Sequence, residues 1–167
     1  MRSAVRPDLQ QLLHASFHRR TGRVLADVAG SMELYHAPAV VLMHGIQADP
    51  LFCFANRAAQ ALWGYTWDEF IGMPSRLSAE PELQAAREQL LSRARIQGYI
   101  DDYVGIRIAK DGRRFHVSGV ILWTIADADA VICGQAAVFR QWSHLAPAGL
   151  TDHASPEPEK LPHMGNK

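Results

Sequence analysis

Apolar positions along the chain change period several times, and each change marks an element. Between residues 7 and 20, Leu9, Leu12, Leu13 and Phe17 recur at three- and four-residue spacing, the stripe of an amphipathic helix, and Thr21-Gly22 interrupts it. Val24, Leu25, Val28 and Met32 repeat the pattern over 24–35 until Pro38 bars continuation, predicting a second helix. Each helix needs a surface to bury against, either a sheet in the same chain or a second subunit. Segments 39–44 (AVVLMH) and 51–55 (LFCFA) are short, apolar and separated by turn formers, and read as two paired strands. Residues 56–64 predict a short helix ending at Gly64. Thr66 and Glu69 then have capping-box spacing before a very short helix, cut off by Gly72 and Pro74. Ser78 can cap a longer helix to Gln97, with Leu83, Leu90, Leu91 and Ala94 inward and Glu82, Arg87, Glu88, Arg93 and Arg95 mainly outward. After Gly98 the period is that of strands: 100–109, a Lys110-Asp111-Gly112 turn, 113–125, an Asp-rich turn, and 130–142.

The 167 residues, 48% hydrophobic and 20% charged, suit one packed α+β domain with short extensions. The expected layout is a helical extension over 1–36, a core over 37–142, and a mobile tail over 143–167, where Pro and charge replace apolar residues. Lys+Arg and Asp+Glu both number 17, so no global field favours nucleic acid or an anionic membrane, and neither is expected as a partner. No apolar run reaches the roughly 18 residues of a membrane span. Arg6, Pro7 and Asp8 interrupt the segment where a signal peptide would be continuous, so a cytoplasmic protein is expected. Cys53 and Cys133, each alone in an apolar strand, read as buried reduced thiols.

The element order β-β-α-α-α-β-β-β around FANRAAQALWGYTWDEFIGMPSRL resembles a PAS domain over roughly 39–142. MPSRLSAEP at 73–81, the segment Asp102 to Arg107, Lys110 to Phe115, and Gly134-Gln135-Ala136-Ala137 are more closely similar to the PAS-related MEKHLA domain family, stand-alone bacterial type. The resemblance implies an antiparallel five-stranded sheet in the order 2-1-5-4-3 with helices over one face. It also implies either a small ligand between helices and sheet or dimer contacts on the outer sheet face.

Within that frame the residues expected to bind a ligand are Trp63, Ser75, Arg76, Tyr103, Arg107, Val117 and Gln135. Compared with flavin-binding light-oxygen-voltage domains, Ser75 stands at the photoactive cysteine, Arg76 at the phosphate-binding arginine and Gln135 at the ring-facing glutamine. Arg107 and Val117 replace two ring-binding asparagines. A serine hydroxyl does not replace the thiol and Val117 makes no such hydrogen bond, so flavin is disfavoured. Haem is disfavoured too, because the helix that carries its histidine in oxygen sensors has none here.

Arg76 and Arg107 have two readings: ion pairs with Glu69, Glu80, Asp101 or Asp102, or bidentate binding of a ligand carboxylate or phosphate. Gln135, polar in a central apolar strand, must find a partner. A tight Asp111-Gly112 turn would set Arg107 opposite His116. A longer loop, favoured by the resemblance, would set it opposite Val117 and bring Arg107, Val117 and Gln135 to one cavity. His14 and His18 are four residues apart but lack a third ligand nearby, and His36, His44 and His116 read as structural. No nucleophile, phosphate-loop or zinc signature argues for an enzyme. The expected function is a sensory or small-molecule-binding module without a fused output domain, signalling through helices or a dimer surface to a separate partner. The alternatives are a ligand-free dimerisation module and, last, a small enzyme. The ligand, organic or anionic, and any cofactor are left unidentified by the sequence.

Overall fold

The strand segments pair into one antiparallel sheet in the computed structural model, which describes residues 7–80 and 84–146. Strands β1 (Val40–His44), β2 (Phe52–Ala55), β3 (Tyr99–Ile108), β4 (Arg114–Ala126) and β5 (Ile132–Phe139) lie in the order β2-β1-β5-β4-β3, as the resemblance implies. A sixth strand, β6 (Gln141–His144), pairs with β4. The segment expected as one strand over 130–142 therefore breaks at Arg140: β5 runs beside the far half of β4 and β6 beside its near half. The sheet reaches His144, two residues into the expected tail, and residues 147–167 lie outside the described residues.

Side chains alternate across the sheet, and both faces are apolar, so each needs a cover. Val40, Leu42, Val117 and Leu122 face helices α3 (Arg57–Trp63), α4 (Trp67–Phe70) and α5 (Gln84–Gln97). Val41, Trp123, Ile125 and Val138 face α1 (Pro7–Thr21) and α2 (Leu25–Ala29). The amphipathic N-terminal helices thus find their surface on this chain's own sheet. Phe17 packs edge-on against Trp123 at 4.9 Å between ring centres, and the Trp123 indole N–H donates to Ser16 Oγ at 3.0 Å. The outer face, a dimer surface under the resemblance, is occupied by these helices. No described helix is long and apolar enough to cross a membrane.

Several local expectations are corrected. The helix expected over 24–35 stops at Ala29, because Gly30 turns left-handed (φ 87°) and closes the last turn onto the Ala26 carbonyl. A 3-10 turn, Leu34–His36, follows, and Val24 and Met32 are exposed rather than inward. Cys53 and Cys133 are free thiols but only partly buried. Asn56 caps α3 and does more: fully buried, its Oδ1 accepts from Val41 and Ala59 N–H, and its Nδ2 donates to Leu34 and Ala39 carbonyls. One amide therefore joins the N-terminal segment, β1 and α3. The Thr66–Glu69 capping box forms as expected.

Neither expected register of the β3–β4 hairpin occurs. Arg107 lies opposite Phe115, and Gly105 lies opposite Val117. The loop holds three residues, Lys110, Asp111 and Gly112: Gly112 N–H donates to the Ala109 carbonyl and adopts φ 86°, and Ala109 N–H closes onto Arg113 O. This is a three-residue loop closed by a left-handed glycine, the other common solution to an Asp-Gly hairpin. Lys110 N–H donates to the Trp63 carbonyl at 2.9 Å, which fixes the hairpin tip against the end of α3.

Candidate functional site

Helix α5 presents Arg87, Leu90, Leu91 and Ala94 along one stripe, at i, i+3, i+4 and i+7. Two sheet side chains hold that stripe down: Thr124 Oγ1 donates to the Ala94 carbonyl at 3.0 Å, and Gln135 Nε2 donates to the Leu91 carbonyl at 2.7 Å. Arg87, expected outward, is therefore drawn inward and is 8% exposed. Ser78, expected to cap this helix, lies in a 3-10 turn, Ser75–Ser78, with its hydroxyl donating to the Ser75 carbonyl. Residues 81–83, Glu82 and Leu83 among them, lie between that turn and Gln84 and outside the described residues.

Between α5 and the sheet is a cavity of about 50 Å³, room for a few waters or one small molecule. Trp63, Tyr103, Arg107, Val117 and Gln135 line it, as do Arg87 and His44, which sequence reasoning missed. Although both expected registers fail, Arg107 and Val117 share a face because positions 105, 107, 115 and 117 all point the same way. Gly105 makes room at this spot: a Cβ there would collide with the Tyr103 hydroxyl. Tyr103 thus reaches along β3 to accept a hydrogen bond from Arg107 Nη2 at 2.9 Å, its ring centre 5.3 Å from the guanidinium carbon. Arg107 Nη1 donates to its neighbour's carbonyl, Ile106 O.

Neither arginine of the cavity has a carboxylate partner among the described residues. The acids proposed for Arg107 are engaged elsewhere or point away: Glu69 pairs with Lys110, Glu80 pairs with Arg114, and Asp101 and Asp102 are exposed. Burial, and after it repulsion from Arg107, pulls the Arg87 guanidinium down to about 10. It is still a cation at neutral pH.

The remaining polar atoms of the wall are of both kinds. His44 Nδ1 lies 2.8 Å from the Gly45 carbonyl, which only accepts, so Nδ1 carries the proton and Nε2 is a bare acceptor. Burial, with added repulsion from Arg87 and Arg95, pushes the ring down to about 4, keeping it neutral. Gln135 spends one amide N–H on Leu91, leaving the other and Oε1. His44 Nε2, Gln135 Oε1 and the Trp63 indole N–H are buried without a hydrogen-bond partner among the described residues.

Two residues chosen from the sequence are not part of this wall. Arg76 points outward and pairs with Asp49 at 3.2 Å, an exposed ion pair with a partner not among the acids considered for it. Ser75 is fully buried in the 3-10 turn, with its N–H on the Pro50 carbonyl. A flavin does not fit: the cavity is well below the several hundred Å³ of a cofactor pocket, and the phosphate arginine faces solvent. Among the described residues no three His, Cys, Asp or Glu side chains cluster as a metal site, and His14 Nε2 meets the Met32 carbonyl instead.

The fold is similar to that of PAS and light-oxygen-voltage domains. It is similar to the PAS domain of a protein from Colwellia psychrerythraea, with TM-score 0.55 and 15% identity over 66% of this chain and 89% of that one. It is also similar to an RNA-binding light-oxygen-voltage receptor, with TM-score 0.52 and 16% identity, covering 83% of this chain but only 34% of the receptor. The blue-light photoreceptor Vivid matches at TM-score 0.50 and 13% identity, over 62% of this chain and 78% of Vivid. These identities establish the fold alone. A search of the curated proteins finds no match to the sequence. The MEKHLA domain model matches residues 7–144, and so takes in α1 and α2 together with the PAS-like core. The chain belongs to the MEKHLA domain family.

Proposed function

We propose that this PAS-like sensory fold binds a small organic anion in the cavity beneath α5, with Arg87 and Arg107 as the anion-binding groups. The observation that carries this reading is two guanidinium groups on one cavity wall, neither in an ion pair with a carboxylate among the described residues, Arg87 feeling only a minor attraction from Glu88. A buried cation without a partner is costly, and an entering carboxylate or phosphate relieves that cost through charge-assisted, bidentate hydrogen bonds. The cavity volume argues for a ligand of a few non-hydrogen atoms. Because Arg87 rides on α5 and Arg107 on the sheet, the anion bridges the two, and occupancy favours the arrangement in which α5 is seated. The signal passes from there through the seating of α5 on the sheet. A ligand-free dimerisation module draws less support, since α1 and α2 occupy the outer sheet face.

The test is calorimetric titration with a panel of small carboxylates and inorganic phosphate against wild type, Arg87→Met, Arg107→Met and Arg76→Ala. Loss of one charge-assisted partner is expected to weaken binding at least about tenfold in the first two variants. Arg76→Ala is expected to bind as wild type. Equal affinity across all four proteins, or no anion bound by any, would overturn the proposal.

A further inference from the structure

His44 and Gln135 are cross-strand partners on β1 and β5, directly opposite one another, so their side chains stand together on the helix-covered face. They are 7% and 3% exposed. His44 has spent its one N–H on the Gly45 carbonyl, and Gln135 has spent one of its two amide N–H groups on the Leu91 carbonyl. Besides the second Gln135 amide proton, what remains is two acceptors on paired residues, His44 Nε2 and Gln135 Oε1, each buried with no hydrogen-bond donor to it among the described residues. Flipping the Gln135 amide would set its oxygen against the Leu91 oxygen, so the orientation is fixed. Two buried acceptors without a donor are expensive, and both residues line the cavity that holds Arg87 and Arg107.

A metal ion is the obvious taker for two lone pairs, but the two arginines on the same wall repel it. The same field, reaching the His44 ring from Arg87 and Arg95, disfavours an ammonium donor. The missing donor is therefore neutral. Resting on the anion site proposed above, we infer that the ligand is a small organic acid that also carries a neutral N–H or O–H donor, its acid group on Arg87 and Arg107 and its donor on His44 Nε2 and Gln135 Oε1. Two adjacent acceptors match a primary carboxamide, whose NH₂ offers two protons.

Oxamate and pyruvate test this, because they have the same shape and charge and differ in an amide NH₂ against a methyl group. Calorimetry on the wild-type protein is expected to give oxamate about tenfold tighter than pyruvate. Lactate is likewise expected to bind tighter than alanine, which replaces the hydroxyl donor with an ammonium. In His44→Phe and Gln135→Leu the oxamate-to-pyruvate ratio is expected to approach one. Because either variant can disturb packing, the ¹⁵N resonance of His44 Nε2 in wild type gives a second readout: oxamate should move it and pyruvate should not. Equal affinities and an unmoved resonance, with binding of both acids still lost in Arg87→Met, overturn this inference and leave the anion site standing. If neither acid binds, this inference falls, and if the carboxylate and phosphate panel fails as well, the anion site falls with it.

Discussion

Replacing Arg87 with methionine should make the empty protein more stable while removing its response to anions. The guanidinium is buried on the cavity wall, pulled down to about 10 from its ordinary value by burial first and by Arg107 second. At about 1.4 kcal/mol per pH unit, that drop corresponds to about 3 kcal/mol of destabilisation of the folded state at neutral pH. Methionine keeps most of the apolar stem and discards the charge, so a gain of about 1–3 kcal/mol is expected. For a chain of this size that is a rise in Tm of about 3–10 °C. The sign follows from linkage. The folded state holds this proton less tightly than the unfolded chain, so the penalty is complete below about pH 10 and shrinks as pH rises above it. Urea unfolding followed by tryptophan fluorescence, in a buffer free of carboxylate and phosphate, measures the difference. Saturating acid should stabilise wild type and leave Arg87→Met unchanged. A variant less stable than wild type in the anion-free buffer would refute the premise that Arg87 is an uncompensated cation.

Two further expectations concern the groups around the site. His44 is held near 4, below the ordinary histidine value, so the unfolded chain takes up its proton first on acidification. Stability is expected to be level above about pH 6.5 and to fall by about 3 kcal/mol toward pH 4, and His44→Gln should flatten that slope in denaturant titrations across the window. Asn56→Ala deletes four buried hydrogen bonds and strands their partners, and should cost about 3–5 kcal/mol, read as a fall in Tm of roughly 10 °C. A loss below about 1 kcal/mol would show that the N-terminal segment is not tied to β1 and α3 through this amide.

Much of the fold is legible because its local signals agree. The Thr66–Glu69 box, the Gly64 stop and the short apolar strands each permit one solution, and that solution is the sheet order the resemblance implies. The hairpin after β3 was ambiguous for a physical reason: Asp-Gly serves two-residue and three-residue turns alike, and alternation of side chains does not decide between them. Arg87 is a different case. Its spacing from Leu90, Leu91 and Ala94 places it on the inward stripe, and only its charge argued for the surface. A long charged residue at an apolar position of a helix is the available signal, and position decides over residue type here. His44 ends an otherwise apolar strand and carried a weaker version of the same signal. Ser75 and Arg76 are site candidates only through the resemblance of 72–77 to a flavin-site segment. The 3-10 turn that holds them buries one and turns the other to Asp49, which no pattern in the sequence foretells.

The sheet is one layer thick, and this has a consequence for where events in the cavity are felt. Gln135 and Thr124 are cross-strand partners on the cavity side, and their next neighbours, Ala136 and Trp123, are partners on the side of α1. The indole of Trp123 is what Ser16 of α1 grips. A partition has no private side: a ligand that draws β5 toward α5 draws the same backbone away from α1. Hydrogen exchange at the amides of α1, far from any atom the ligand touches, is accordingly the place to listen for occupancy of the cavity.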